Sequence, residues 1–258
     1  MTVRVKAKQS LGQNFLVDPN VADKIVDAMN LTEDDIVIEI GPGTGILTER
    51  IQPRVKHLYA VEIDQRLTGQ LMSRMDHRPN FTMIHMDFLQ FPLETLELDR
   101  KCIIVGNVPY NITSPIFFKV LQERQFVQKL VMLIQKEVAQ RVVSQPYTKD
   151  YGILAVMSQT FAQVKLLFNV RPTVFKPKPK VHSSLVQWIF TQERAQKIVD
   201  KTLFQNIVRQ AFGLRRKMLR KSIKNFLPKN ELPFDFTRRP EQLSVDEWIW
   251  LANECARH

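Results

Sequence analysis

Five short apolar runs, each rich in β-branched residues, alternate with stretches long enough to form helices, and this alternation constrains the fold more than any other feature of the chain. The runs are Ile36–Ile40, Leu58–Ile63, Phe81–His85, Cys102–Val105 and Leu130–Ile134; Gln65–Met75 and Ser114–Glu123 are among the helical stretches between them. A strand that is apolar along its whole length, rather than at alternate positions, is buried on both faces. The pattern therefore predicts a parallel sheet covered by helices on both sides. Val164–Val170 and Ser184–Phe190 follow without a long helix between them and read as an antiparallel pair at one sheet edge. After Thr191 the pattern turns helical, punctuated by Pro228, Pro233 and Pro240. The expected organisation is an α/β domain over residues 1–191 and a small all-α domain over residues 192–258.

The chain has 258 residues, 44% of them hydrophobic, enough for one full α/β core and an appendage of roughly 60 to 70 residues. Its net charge is +11, and the basic residues cluster. Arg4, Lys6 and Lys8 precede the first acid at Asp18; Lys165, Arg171, Lys176, Lys178 and Lys180 form a second island, and Arg215 to Lys224 a third. Clustered excess charge of this size points to a phosphate-rich partner, hence a nucleic acid. Cys102 and Cys255 are too few for a disulfide framework and lack metal-ligand spacing, which fits a reducing, cytoplasmic setting. No apolar run approaches the ~20 residues of a spanning helix, and Met1 to Lys8 lacks a secretory apolar stretch, so no membrane role is expected.

The first run leads into Glu39-Ile-Gly41-Pro-Gly43-Thr-Gly45, with glycines at every second position. A dinucleotide fingerprint would be G-x-G-x-x-G, whose third glycine opens the helix beneath a pyrophosphate. The spacing here suits a nucleoside with a sulfonium side chain better. Glu62 closes the second run, 21 residues beyond Gly41, where an acid can accept both ribose hydroxyls. Asp87 follows the third run and can accept from an adenine amine. Each acid alone is as well read as a solvated loop residue or a helix cap. In order at three successive strand ends, they converge on one crevice and point to an adenosyl ligand.

The fourth run enters Gly106-Asn107-Val108-Pro109-Tyr110-Asn111, which resembles the (N/D)-P-P-Y loops of methyltransferases acting on exocyclic amines. An adenine amine is a poor nucleophile because its lone pair is delocalised into the ring. The Asn107 carboxamide oxygen and the Val108 carbonyl can each accept one amine N–H and favour a lone pair directed at the methyl group. Pro109 locks φ and stiffens the loop, and Tyr110 offers a ring for the base to stack on. No general base is needed beforehand, because the amine becomes acidic only once it is methylated. Catalysis would be largely proximity.

Along essentially its whole length the sequence resembles the ribosomal RNA adenine dimethyltransferase family, of KsgA type. The resemblance is carried by Lys8-Gln-Ser-Leu-Gly-Gln-Asn14-Phe-Leu16, Glu39 to Gly45, Asn107 to Tyr110, Phe175-Lys-Pro-Lys-Pro-Lys-Val181-His-Ser183, and Gln210-Ala-Phe-Gly-Leu-Arg-Arg-Lys-Met-Leu-Arg220. It implies a seven-stranded, Rossmann-like class I methyltransferase domain that uses S-adenosylmethionine, with the small helical domain holding structured RNA. It further implies that Asn14, Leu16, Gly41, Glu62, Asp87 and Asn107 contact the cofactor, together with the turn at Gly43, and that Phe175 stacks on the target adenine opposite Tyr110. Val108 replaces the Leu, Ile or Pro of related loops, which matters little if the contact is through its carbonyl. The implied substrate is a pair of adjacent adenosines near the 3′ end of 16S ribosomal RNA, in the small subunit or its precursor, acted on by a monomer. Two rivals are a macrolide-resistance-type 23S ribosomal RNA adenine methyltransferase and a non-catalytic ribosome assembly factor of the same fold.

Two basic segments have readings of their own. Alternating Pro177 and Pro179 favour an extended chain from which Lys176, Lys178 and Lys180 project toward phosphates; the lesser reading of Phe175 is the loop's core anchor. On an ideal helix Arg216, Lys217, Arg220, Lys221 and Lys224 fall within an arc of roughly 140°, with Met218, Leu219, Ser222 and Phe226 elsewhere. This predicts one packed face and one basic face, either an RNA footprint or a solvated surface. Arg215 falls off the basic face.

Overall fold

The computed structural model describes residues 6–75, 77–228 and 232–257; Arg4, of the first basic island, lies outside them. A two-residue strand, β1 (Phe15–Leu16), precedes helix α1 (Pro19–Ala28). Asp18 starts that helix by accepting from the Val21 amide at 3.1 Å, with Pro19 at the first helical position, where its missing N–H costs nothing. The main sheet then begins with β2 (Ile36–Ile40), buried at all five positions. It continues through α2 (Thr48–Ile51), β3 (His57–Glu62), α3 (Gln65–Met75), β4 (Phe81–His85), β5 (Cys102–Gly106), α4 (Thr113–Gln122) and β6 (Val127–Gln135). After α5 (Lys136–Val143) and α6 (Ile153–Phe161) come β7 (Ala162–Val170), the two-residue β8 (Phe175–Lys176) and β9 (Ser183–Phe190).

Seven strands form one sheet in the order β4-β3-β2-β5-β6-β9-β7. β2, β3, β4, β5 and β6 are mutually parallel, as continuous apolar runs require. From β2 the chain builds outward first through β3 and β4, then returns to the other side through β5 and β6. A crevice opens at such a reversal, outside the carboxyl ends of the strands. The two late strands lie side by side at one sheet edge, as expected: β9 inserts beside β6, antiparallel, with Lys129 opposite Ile189 and Gln135 opposite Ser183, and β7 takes the edge beyond it. No helix among the described residues is long and apolar enough to cross a membrane.

The chain divides into two compact units, one of residues 1–139 and 165–189, the other of residues 140–164 and 190–258. A single boundary at 191 was expected; the second unit instead also takes in residues 140–164. Its core joins Phe161 to Phe204 and links Tyr151, Phe212 and Trp248 through edge and tilted ring contacts. Its helices are α7 (Lys201–Gly213), α8 (Leu219–Ser222) and α9 (Val245–Ala256). Ser244 and Glu247 cap α9 reciprocally.

The expected continuous basic helix is absent. α7 ends at Gly213, Met218 is extended, and only Leu219–Ser222 is helical before a 3₁₀ turn at Lys224–Phe226. The amides of Leu219 and Arg220 donate instead to the carbonyls of Arg238 and Phe236, at 2.8 and 3.1 Å. Arg216, Lys217, Arg220, Lys221 and Lys224 are nonetheless all exposed, while Leu219 and Ser222 are buried. Arg215 faces Glu241 at 3.8 Å and donates to the Thr148 carbonyl at 3.2 Å.

Candidate active site

The crevice at the carboxyl ends of β2, β3 and β5 is lined by Asn14, Leu16, Gly41, Gly43, Glu62, Asp87, Asn107, Val108, Pro109 and Tyr110, so all the candidate cofactor residues and four of the five candidate catalytic residues meet there. Gly41 has φ +62°, and an added Cβ would come within 4 Å of no protein atom; it would project into open space beside the Gly41-Pro42-Gly43 turn. Only glycine adopts that backbone cheaply while leaving the space free. Gly106 is needed for the opposite reason. A Cβ there would lie 2.8 Å from Val108 Cγ1 and 3.2 Å from both Ile40 Cβ and the Ile40 carbonyl oxygen, so the strand end and the catalytic loop approach closely because nothing stands between them.

Two buried glutamates line the crevice. Glu62 accepts from the amides of Asp64 (2.9 Å) and Gly43 (3.3 Å), which fixes its carboxylate against the glycine turn. Burial pushes its pKa up, offset in part by those amides. Glu39, which sequence reading treated only as the start of the loop, is 2% exposed and accepts from the Thr48 hydroxyl at 2.7 Å. Burial pushes its carboxyl up to about 7, the Thr48 hydroxyl pulls it back, and the Glu62 charge adds to the rise. Asp87 uses one oxygen to cap a 3₁₀ turn through the Leu89 amide at 2.9 Å. It is both the cap and a crevice residue, the two readings its position allowed.

The N-terminal segment forms one wall, Ser10 to Leu16 all lining the crevice. It is anchored by Asp64, a residue sequence reading missed. Its buried carboxylate accepts from Arg66 Nε (3.0 Å) and Nη2 (2.6 Å) and from Gln13 Nε2 (3.1 Å), with Lys8 Nζ at 3.6 Å. The Arg66 contacts, chiefly, hold this carboxyl well below the usual carboxylate range. Arg66 is visible two residues away in sequence; the partnership with Lys8 and Gln13, some fifty residues distant, is not.

The catalytic loop leans on the same wall. Asn107 Nδ2 donates to the Asn14 carbonyl at 3.0 Å, while Val108 turns its side chain inward, 3% exposed. The hydroxyls of Tyr110 and Ser183 are hydrogen-bonded at 2.7 Å, and burial raises the Tyr110 pKa.

Phe175 departs from its expected place. It is 2% exposed and packs among Leu16, Ile25, Val26, Val170 and Leu185. It pairs across β8 and β1 with Leu16 and does not line the crevice. An aromatic ring with no open face cannot stack on a base, so Phe175 holds the core behind the N-terminal wall, the loop-anchor alternative that its sequence position allowed. Lys176, Lys178 and Lys180 are exposed around the buried Pro179.

The Asn107–Tyr110 loop and the glycine turn line one crevice, and comparison with known proteins decides the kinship of the chain. The family model for ribosomal RNA adenine dimethylase matches residues 4–251. The chain belongs to the ribosomal RNA adenine dimethylase family. Ribosomal RNA small subunit methyltransferase A of Chlorobium phaeobacteroides is 42% identical over 97% of this chain and 94% of that protein. The protein of the same name from Bacillus mycoides is 38% identical over 97% and 92%. A dimethyladenosine transferase from Plasmodium falciparum superposes with a TM-score of 0.78 at 25% identity, covering 92% of this chain and 95% of that one. The 23S rRNA methyltransferase ErmE gives 0.67 at 25% identity, covering 94% and 100%. As a member of this family the chain is a methyltransferase with a class I fold.

Proposed function

We propose that this dimethylase family member transfers methyl groups from S-adenosylmethionine to the exocyclic amines of two adjacent adenosines near the 3′ end of 16S ribosomal RNA, and so contributes to small-subunit biogenesis. The observation that carries the chemistry is the orientation of Asn107. A carbonyl can only accept, so the Asn14 carbonyl claims the NH₂ end of the carboxamide. The Oδ1 end is thereby left to accept an amine N–H, beside the Val108 carbonyl.

When bound, S-adenosylmethionine supplies the electrophilic methyl group. The protein's residues fit such a ligand. Glu62 stands where ribose hydroxyls can donate to it, Asp87 keeps one oxygen for an adenine amine, the Gly41 turn leaves room for the ligand, and the carboxyls of Glu39 and Glu62 favour a cation in the crevice. Asn14 and Leu16 hold the facing wall. Asn107 and Val108 orient the amine, Pro109 stiffens the loop and Tyr110 offers its tethered ring to the base.

For the substrate, relatives at 38–42% identity carry the small-subunit name, whereas the large-subunit enzyme is 25% identical. The exposed Lys176, Lys178 and Lys180 and the basic residues from Arg216 to Lys224 supply phosphate contacts. The enzyme acts as a monomer in the compartment of its ribosomal substrate, the cytoplasm.

The test is incubation with labelled S-adenosylmethionine and unmethylated small ribosomal subunits, followed by mapping of modified nucleotides. Two adjacent dimethyladenosines near the 3′ end are expected. Label confined to 23S RNA would favour the macrolide-resistance reading, and absence of turnover the assembly-factor reading.

A further inference from the structure

The second unit carries a largely exposed aromatic side chain on a backbone held in the left-handed region. Tyr147 lies on the loop between α5 and α6, is 70% exposed and has φ +66°. That region is left-handed, cheap for glycine and disfavoured for a bulky side chain. Asn30 and Glu97 also have positive φ, but asparagine enters this region readily, and neither carries an exposed ring.

The loop is stapled in place. The Tyr147 amide donates to the Glu241 carbonyl at 2.8 Å; Arg215 donates to the Thr148 carbonyl at 3.2 Å and faces Glu241 at 3.8 Å. The Arg238 guanidinium lies against the Tyr147 hydroxyl. These contacts seat the loop beside the turn that continues from Arg215 into the exposed Arg216 and Lys217, and exposed Lys149 is two residues from the ring. Glu241 is engaged by Arg215, and exposed Asp150 is the opposing charge on the loop. The result is an exposed aromatic side chain on a held loop, with exposed Lys149 two residues along the chain and exposed Arg216 and Lys217 next in sequence to the Arg215 that donates to the loop.

We infer that Tyr147 is a stacking platform for an unpaired nucleotide of small-subunit ribosomal RNA, a contact made by the second unit in addition to the target adenosine in the crevice. The chemistry matches: the ring offers its face to a base, and the neighbouring cations meet the flanking phosphates. A paired helix offers cations its phosphates but no free base face, so the ring selects a single-stranded, bulged or looped segment. The inference rests on the reading that ribosomal RNA is the substrate.

The test compares Tyr147→Gly and Tyr147→Phe with the parent for binding to unmethylated small ribosomal subunits across a salt series, and for steady-state methylation of the same subunits. Glycine removes the ring, and with it the hydroxyl contact to Arg238, but relieves the left-handed backbone, so its unfolding midpoint should stay close to that of Tyr147→Phe, which lacks the same hydroxyl. Expected for Tyr147→Gly is an affinity loss of about 5- to 150-fold, the range of aromatic–base stacking. The salt slope should be unchanged, because no cation is lost, and KM for the subunits should rise with kcat intact. Tyr147→Phe keeps the ring and should bind like the parent. Parental affinity in Tyr147→Gly, or equal loss in both variants, would overturn the platform. A parent protein that neither binds nor methylates these subunits would overturn the substrate reading beneath it.

Discussion

Asn107 and Asn14 lie 93 residues apart, yet the side chain of one donates to the backbone carbonyl of the other at 3.0 Å. The contact joins the catalytic loop to the N-terminal wall, itself anchored through Gln13 to Asp64. Asn107, the proposed amine-orienting group, is therefore set by a segment that also lines the crevice, and a displaced wall would turn Asn107 as well as open the crevice.

Replacing Asn107 with Ala removes the acceptor and leaves most of the crevice intact. Turnover should fall about 100-fold or more, the scale of losing one oriented polar group at a reacting centre. Affinity for cofactor and RNA should change only a few-fold. Asn107→Asp should be no better, since a carboxylate cannot donate to the Asn14 carbonyl. Single-turnover methylation with separate binding titrations measures both quantities; turnover within a few-fold of the parent would remove the amine-orienting role.

Phe175→Ala tests a different link, from core packing to the site. Emptying a buried phenylalanine position costs about 3–5 kcal/mol, so the denaturation midpoint of the first unit should drop markedly. Cofactor affinity should fall with it, because Leu16 loses its cross-strand partner. Had the ring stacked on the base, the second methylation would suffer more than the first and monomethyladenosine would accumulate. From the core it should slow both rounds alike. Mass spectrometry of nuclease-digested RNA through a time course gives the ratio, and accumulation of the monomethyl product in a stably folded variant would restore the stacking role.

The parallel strands were legible because burial on both faces leaves a continuous apolar run, as at Ile36–Ile40. Their carboxyl-end residues, Gly41, Glu62 and Asp87, follow from strand order alone. Partner choice was less legible: Ser183–Phe190 has the composition of a strand, but its place between β6 and β7 depends on long-range burial. The stretch from Arg216 to Lys224 misled for a related reason. Its spacing suits a helix, but Gly213 ends α7 and the amides of Leu219 and Arg220 find acceptors near residues 236–238, beyond the reach of any periodicity. Phe175 had two readings that no pattern could separate, since a loop aromatic looks the same whether it turns in or out.

The Glu39 carboxyl makes stability depend on pH. Its pKa is raised from 4.5 to about 7 in the folded chain, so between those values the native state holds a proton that the unfolded state has lost. Stability of the ligand-free protein should therefore fall as pH rises from about 4.5 to 7, by about 3 kcal/mol in all, with Glu62 acting in the same direction. In Glu39→Gln, which can still accept from the Thr48 hydroxyl, the decline should flatten. Denaturant midpoints at half-unit pH intervals measure this. An equally steep decline in the variant would mean that Glu39 stays ionised. A cationic ligand should favour the ionised form, so S-adenosylmethionine affinity should rise with pH through the same window.

The basic residues of the second unit yield the most quantitative expectation, because phosphate contacts carry a salt signature that stacking and packing lack. Each cation that neutralises a phosphate releases condensed counterions, so the log–log slope of affinity against salt changes by about 0.7 to 0.9 per contact. Lys217, Arg220 and Lys221 are exposed on a turn and a short helix whose buried residues, Leu219 and Ser222, hold the backbone from beneath. Reversing the three charges should therefore spare the fold. If all three meet phosphate, the slope should flatten by about 2 to 3, and affinity for unmethylated small subunits should fall most at low salt. Cofactor binding should be unaltered, since none of the three lines the crevice. The broken helix sharpens the expectation: on one ideal face the three cations would track a single backbone, whereas across a turn and a helix they can meet phosphates of different strands. Single reversals should then protect separate nucleotides in footprinting. A triple variant with the parental slope would assign this surface to solvent.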